Sequence, residues 1–296
     1  MFWCKIYTMQ MEVFSEKWFE KSKTLKRAVN KFSGGEVVIV GGSSLFHGAP
    51  IMALKACSRI VSMVYFASPK DDKGAVDLIK SEAQAFVWVP EDDLDGYVAK
   101  SEAVLIGPGM MRSHVKEHGF VCDDEGIVTR NLAMGLFKKF PDKKWIVDGG
   151  ALQVVAASEI PKGAIVTPNS REFEMVFGEK LLTVITERVE QVQRIASKYG
   201  IVILIKDETS LVCDGENAVA VEGGNDGMIK GGVGDVTAGV ILGFLAKDEP
   251  VVACSVASHL VKLAGKKLLE ERGTMFNAQD LCETIPLVYG QVLKRV

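Results

Sequence analysis

Apolar residues fall in short runs separated by longer stretches of mixed polarity, with no extended alternation and no single long block. The runs Glu36–Val40, Ile60–Phe66, Ala85–Val89, Ala103–Ile106, Lys144–Val147, Ala164–Val166 and Ile201–Ile205 are rich in Val and Ile. Gly, Pro or charged residues bound them, which predicts strands. Helical patterns lie between them, over Ile51–Cys57, Gly126–Lys139, Ser170–Val176 and Val184–Tyr199. Strands that are apolar on both faces and joined through helices predict a mostly parallel sheet with helices on each side.

The pattern changes after Ile205. Leu211–Cys213 and Ala218–Val221, joined by Asp214-Gly215-Glu216-Asn217, predict a hairpin on the antiparallel edge of the sheet. From Gly234 the chain reads as helix almost to its end, with Val236–Ala246 and Val251–Glu271 separated by a break at Pro250. The expected architecture is a three-layer α/β/α fold: a helical extension over residues 1–34 and one domain over 35–296.

Charge and composition narrow the function classes. The 296 residues include 35 Lys and Arg against 38 Asp and Glu, a net charge of −3. That balance gives no cationic face, so no nucleic-acid partner is expected. No uncharged apolar run approaches the ~18 residues of a membrane span. The six cysteines, Cys4, Cys57, Cys122, Cys213, Cys254 and Cys282, are scattered without ligand spacing. They are expected to be reduced and mostly buried in a cytoplasmic protein. Among the four histidines, His114 and His118 suggest an exposed segment, His259 a core or interface position, and His47 a glycine-rich turn.

The most informative segment is Gly223-Gly224-Asn225-Asp226-Gly227-Met228-Ile229-Lys230-Gly231-Gly232-Val233-Gly234-Asp235, which runs into a helix. Glycines leave no Cβ in the way of a ligand, and successive amides ahead of a helix form an anion nest. Asp235 has two readings. It caps the helix, or it accepts a proton from a hydroxyl as that oxygen attacks phosphorus. Four further turns follow strands: Gly41-Gly42-Ser43-Ser44, Ile106-Gly107-Pro108-Gly109, Val147-Asp148-Gly149-Gly150 and Thr167-Pro168-Asn169-Ser170-Arg171-Glu172. Each alone is ordinary turn chemistry, with Ser170 a candidate cap. Together they are expected to line one crevice at the carboxyl edge of the sheet. Lys206-Asp207-Glu208-Thr209-Ser210 reads by composition as a solvated charged turn.

The order of these motifs resembles the NAD(P)H-hydrate dehydratases, ribokinase-like relatives of carbohydrate kinases, over roughly residues 35–290. The matching pieces are Gly42…Gly48-Ala49, Gly107-Pro108-Gly109, Asp148-Gly149-Gly150-Ala151-Leu152, Thr167-Pro168…Glu172-Phe173, Lys206 and Asn225…Gly231-Gly232-Val233-Gly234-Asp235. The resemblance implies an enzyme that uses ADP or ATP with Mg2+ to phosphorylate the C6 hydroxyl of hydrated NADH or NADPH. Loss of phosphate then restores the cofactor. It implies substrate contacts at Ala49, Gly109, Asn169 and Asp235, with Asp235 the base. Nucleotide contacts would fall at Lys206, Asp207, Glu208, Thr209, Ser210, Asn225, Gly231, Gly232 and Gly234, and Glu172 would face the metal. Family members assemble as tetramers, and bifunctional members carry an epimerase domain for which this chain is expected to have no room.

The chain departs from the family pattern in places. Asn169 and Arg171 stand where the family has His and Gly, Asp207 replaces a glycine, and Asp226 replaces a proline. Asn169 can bond a substrate but cannot carry a proton. A carboxylate at 207 repels a phosphate unless Mg2+ or Lys206 offsets it. Two other readings stay open from sequence: a kinase for a small alcohol, or a nucleotide-binding protein without turnover.

Overall fold

Alternate residues of each central strand are buried on opposite faces. Val37, Ile39, Leu105 and Ile146 join one apolar cluster, whereas Val38, Val40, Ile106 and Val147 join a second. A strand apolar on both faces cannot face water, so it demands a helical layer above and below. The computed structural model describes residues 11–26, 31–68, 77, 80–112 and 124–295.

The strands are β1 Met11–Val13, β2 Glu36–Val40, β3 Met63–Ala67, β4 Val87–Trp88, β5 Ala103–Ile106, β6 Lys144–Val147, β7 Ile165–Val166, β8 Val202–Ile205, β9 Ser210–Cys213 and β10 Ala218–Val221. They form one ten-stranded sheet in the order β1-β10-β9-β8-β7-β6-β5-β2-β3-β4. Only the two pairings of β9 are antiparallel. The helices are α1 Lys17–Lys21, α2 Gly48–Cys57, α3 Leu94–Lys100, α4 Asp124–Lys139, α5 Gly149–Leu152, α6 Ser170–Phe177, α7 Ile185–Tyr199, α8 Val233–Leu245, α9 Pro250–Arg272 and α10 Ala278–Leu293. Residues of α2, α8, α9 and α10 pack into the first cluster, and residues of α3, α4, α6 and α7 into the second. The three-layer α/β/α expectation is met.

Some expectations need correction. The run at Ile60–Phe66 becomes a strand only at Met63, because the amides of Ile60 and Val61 first bond back to Cys57 of α2. Ala85–Val89 shortens to the two-residue β4 on the outer side of β3. The β9–β10 hairpin forms at the antiparallel end of the sheet as expected, and one short strand is added outside it. β1 pairs parallel with β10, Met11 opposite Ala218. Among the described residues of the first 34, a strand, the short α1 and a single turn at Lys31–Gly34 stand where one helix was expected. The expected break between the last two apolar helices is present: α8 ends at Leu245, and Pro250 opens α9 at its first turn, where the missing N–H would have had no partner.

The N-terminal segment is tied into the body at three points. Trp18 and Phe19 are buried. The Phe14 ring stacks on His259 of α9 at 4.4 Å between centroids. Burial holds the His259 imidazole down to about 4, so it is a neutral core residue, as its apolar helix implied. The third point is Asp248, 1% exposed between α8 and α9. Its carboxylate accepts from Ser22 Oγ at 2.6 Å, Lys23 N at 2.5 Å and Thr24 N at 3.1 Å. Among the described residues, no helix is long and apolar enough to cross a membrane. Cys57, Cys213, Cys254 and Cys282 are free and buried, while Cys4, Cys122, His114 and His118 lie outside the described residues.

Asp248→Ala strands two buried donors, Ser22 Oγ and Thr24 N, and removes the acceptor of Lys23 N. It is expected to cost about 3 kcal/mol, since each buried unpaired group costs roughly 1–3 kcal/mol. Urea unfolding of the variant beside the wild type measures the loss.

Candidate active site

The turns after β6, β7 and β8 converge on the start of α8. Asp148 ends β6 and stands at the N-cap position of α5, yet its side chain caps nothing. Its Oδ1 accepts instead from Thr167 Oγ1 at 2.5 Å and from Lys206 Nζ at 3.0 Å. Gly107 makes this seat available. It adopts φ +118°, and a Cβ there would lie 1.8 Å from the Asp148 carbonyl oxygen. Gly234, in the first turn of α8, leaves room for Lys206, whose Nζ would lie 3.2 Å from a Cβ at that position. The ammonium thus reaches the helix start that carries Asp235.

Three carboxylates, Asp148, Glu172 and Asp235, face the one ammonium of Lys206. Burial pushes the Asp235 carboxyl up to about 7, Asp148 adds to the rise, and Lys206 opposes it. Glu172 is raised above its ordinary range by burial and by Asp148, although the Asn169 amide, Lys206 and Gln153 favour its charge. For Lys206 itself burial disfavours the ammonium, but Asp148, Glu172 and Asp235 outweigh it and hold its pKa above the usual value. A carboxyl that titrates near neutrality at a helix start is a proton acceptor in waiting.

These groups border a cavity of about 670 Å3 between the Lys206 turn, the Gly224–Gly234 loop and α9. Its size is that of a small-molecule site. Gly232 begins α8 with φ +89°, a conformation that favours glycine, whereas Gly231 and Gly234 keep negative φ. Of these three, Gly232 alone uses a glycine's conformational freedom. In the first turn of α8, Val233 N bonds the Lys230 carbonyl at 3.4 Å and the Asp235 carboxylate takes its own amide. A helix start otherwise leaves amides without a carbonyl one turn back, and Gly234 N is of that kind, available to an anion.

The cavity unites Asn169, Glu172, Lys206, Asp207, Glu208, Ser210, Asn225, Gly231, Gly232, Gly234 and Asp235. Ala49, Gly109 and Thr209 do not line it. The expected single crevice is divided: the turn after β2 borders a separate recess of about 930 Å3 around Gly42, Ser43 and Leu94. Its Asp95 is neutralised by Lys139 at 2.5 Å, and neither Lys206 nor Asp235 borders it. The glycines after β2 and β5 serve packing. A Cβ on Gly109 would lie 2.3 Å from the Phe46 carbonyl oxygen, and one on Gly41 2.4 Å from that of Pro108.

The model of the family described as NAD(P)H-hydrate dehydratase matches residues 37–287. The chain belongs to the NAD(P)H-hydrate dehydratase family. It is 31% identical over 268 residues to the ADP-dependent (S)-NAD(P)H-hydrate dehydratase of Cenarchaeum symbiosum, covering 89% of this chain and 91% of that protein. In fold it is similar to the ADP/ATP-dependent NAD(P)H-hydrate dehydratase of Bacillus subtilis, crystallised with ATP/Mg2+ (TM-score 0.80, 20% identity, 96% and 99% coverage). It is also similar to a ribokinase-like superfamily protein of Enterococcus faecalis (TM-score 0.78, 22% identity, 95% and 96% coverage). The architecture is ribokinase-like.

The departures from the dehydratase pattern have local explanations. Asn169, not Ser170, caps α6: its Oδ1 accepts from Arg171 N and Glu172 N, and Glu172 Oε2 accepts from Asn169 N in return. Glu172 Oε1 accepts from Gln153 Nε2 at 3.1 Å. Asp207 is paired with Arg188, at 2.8 Å. Asp226 opens the single turn Asp226–Met228, which Asn225 caps through its bond from Gly227 N.

Motif reading missed Lys262 of α9. It donates to the carbonyls of Asp207 at 2.9 Å and Glu208 at 2.5 Å, and burial lowers its pKa to about 8. A lysine inside the apolar run Leu260–Ala264 was the available signal.

Asp235 also sets a pH dependence of stability. Its folded pKa of about 7 lies above the ordinary 3.8, so between those values the native state holds the proton more tightly. Wild-type stability therefore declines as pH rises through that window. Asp235→Asn lacks this loss, so its stability advantage should grow from pH 4 to pH 7 and then level off, as read by urea unfolding across pH.

Proposed function

We propose that this chain is an ADP-dependent dehydratase that returns hydrated NADH and NADPH to the reduced cofactors. Membership of the dehydratase family supports the reading, and one observation carries it at the level of chemistry. Asp235, which ionises only near pH 7, stands at a glycine-opened helix start beside Lys206. Residues 35–296 carry the activity as one unit in this reading.

In the mechanism, the nucleotide phosphates lie on the amides of Gly231, Gly232 and Gly234 and near Lys206. The turn Asp207, Glu208, Thr209 and Ser210, together with Asn225, holds the rest of the nucleotide. The hydrated nicotinamide approaches from the side of Ala49, Gly109 and Asn169. Its C6 hydroxyl oxygen attacks the terminal phosphorus, Asp235 takes the hydroxyl proton, and the bond from phosphorus to the bridging oxygen breaks to release AMP. The C6–O bond then breaks, phosphate leaves, and a proton lost from the adjacent carbon restores the ring double bond. The protein's part is positioning and charge stabilisation, which is what phosphoryl transfer asks of it.

The residues present fit Mg2+. Three carboxylates face one ammonium, so negative charge is in surplus where phosphates would bind. Among the described residues, no group of three or more His, Cys, Asp or Glu side chains is arranged to hold a metal. That donor set suits an ion held chiefly by nucleotide phosphates and water, with Glu172 as the carboxylate offered to it. When bound, Mg2+ supplies charge neutralisation of the transferring phosphate.

Incubation of the protein with hydrated NADH, ADP and Mg2+ should restore the absorbance of the reduced nicotinamide; no recovery with ADP or ATP rejects the assignment. Asp235→Asn should keep ADP binding and lose at least ~100-fold in kcat, the lower end of a general base's contribution. The acid limb of kcat/KM should fall near pH 7, where Asp235 protonates. Lys206→Met removes the charge that opposes this protonation, so the limb should move to higher pH, whatever the loss in absolute rate.

A further inference from the structure

Asp207 places a carboxylate in the turn after β8, on the wall of the cavity that also holds Lys206 and the glycine loop. A free carboxylate there would face the phosphates of a bound nucleotide and repel them. The structure shows how it is restrained. Arg188 of α7 donates from Nε to the Leu182 carbonyl at 2.6 Å and from Nη2 to the Thr183 carbonyl at 3.2 Å. Its Nη1 then meets Asp207 Oδ2 at 2.8 Å. Two of its three acceptors are backbone atoms just ahead of its own helix, so the guanidinium is positioned independently of Asp207. Its side chain is 14% exposed, against 51% for Asp207, which makes Arg188 the fixed partner. The other oxygen, Oδ1, accepts from Glu208 N at 2.8 Å. From the opposite side Lys262 holds the carbonyls of residues 207 and 208.

We infer that Arg188 is a positioning residue for nucleotide binding: it holds the Asp207 carboxylate neutralised and turned toward α7, so that the turn after β8 can accept a nucleoside diphosphate. The inference rests on the nucleotide reading of this cavity given above. It explains how a chain with an acid after Lys206 can keep a phosphate site. The planar guanidinium suits the task because its fixed fork serves two carbonyls and a carboxylate at once.

The test is ADP affinity, measured by calorimetry with Mg2+ on the wild type, R188Q, D207G and the double variant. R188Q should weaken ADP binding about tenfold or more in the wild-type background and by less than about twofold in the D207G background, a coupling that a double-mutant cycle isolates. The R188Q penalty should also shrink at high salt, because it is charge repulsion near a solvent-accessible turn. An equal loss in both backgrounds would assign Arg188 a merely structural role and overturn the inference, as would an unaltered affinity in R188Q. If the wild type itself does not bind ADP, the nucleotide reading falls first. Should R188Q fail to fold, R188K keeps the charge without the fork. It should then weaken binding at least about threefold beside Asp207 and less than about twofold beside Gly at that position, and equal effects in the two backgrounds would overturn the inference.

Discussion

The contact between Lys206 and Asp148 governs the site. Three carboxylates brought together in a partly buried pocket would repel one another and take up protons. One ammonium at 3.0 Å from Asp148 keeps the cluster mixed in charge, and Asp235 is left close to its midpoint at neutral pH. The geometry behind that contact is made of absences. Gly107 has no side chain where the Asp148 main chain turns, and Gly234 has none where Lys206 crosses the start of α8. A methyl group at position 107 would move the acid, and one at position 234 would crowd the base of the ammonium. The glycines of this fold therefore act on catalysis through electrostatics as well as through backbone shape.

The parallel sheet was legible because its strands are buried on both faces and so read as uninterrupted apolar runs. Glu36–Val40, Ala103–Ile106 and Lys144–Val147 all appear with the boundaries their flanking Gly, Pro and charged residues imply. The failures are equally physical. Met11–Val13 is exposed along its whole length, so it carries no periodic burial signal, and its pairing depends on β10 more than two hundred residues away. Val87–Trp88 is an edge strand too short to hold the apolar run that suggested it.

Local chemistry located the glycine loop and Asp235, since both lie in one continuous stretch. What it could not supply was the partners across the fold. Asp207 finds its counter-charge on α7, and the carbonyls after β8 find theirs in Lys262 of α9. Nor could it separate glycines that face a ligand from glycines that let two turns touch. At Gly41 and Gly109 two turns touch, and only the three-dimensional closeness of the turns after β2 and β5 reveals it. Asn169 is similar: its carbonyl oxygen is spent on capping α6, a use invisible until the start of that helix is fixed.

The outermost pairing has a kinetic side. β1 lies alongside β10, and Ser22 to Thr24 bond to Asp248, so these residues find their partners only after more than two hundred further residues have been made. During synthesis that early segment must wait, and the main-chain groups of the β10 rim stay uncovered until it arrives. An unpaired rim invites pairing with other chains, and contacts so distant in sequence close slowly. The seam between β1 and β10 thus joins the most distant parts of the sheet in sequence, and it is the pairing that covers the β10 rim.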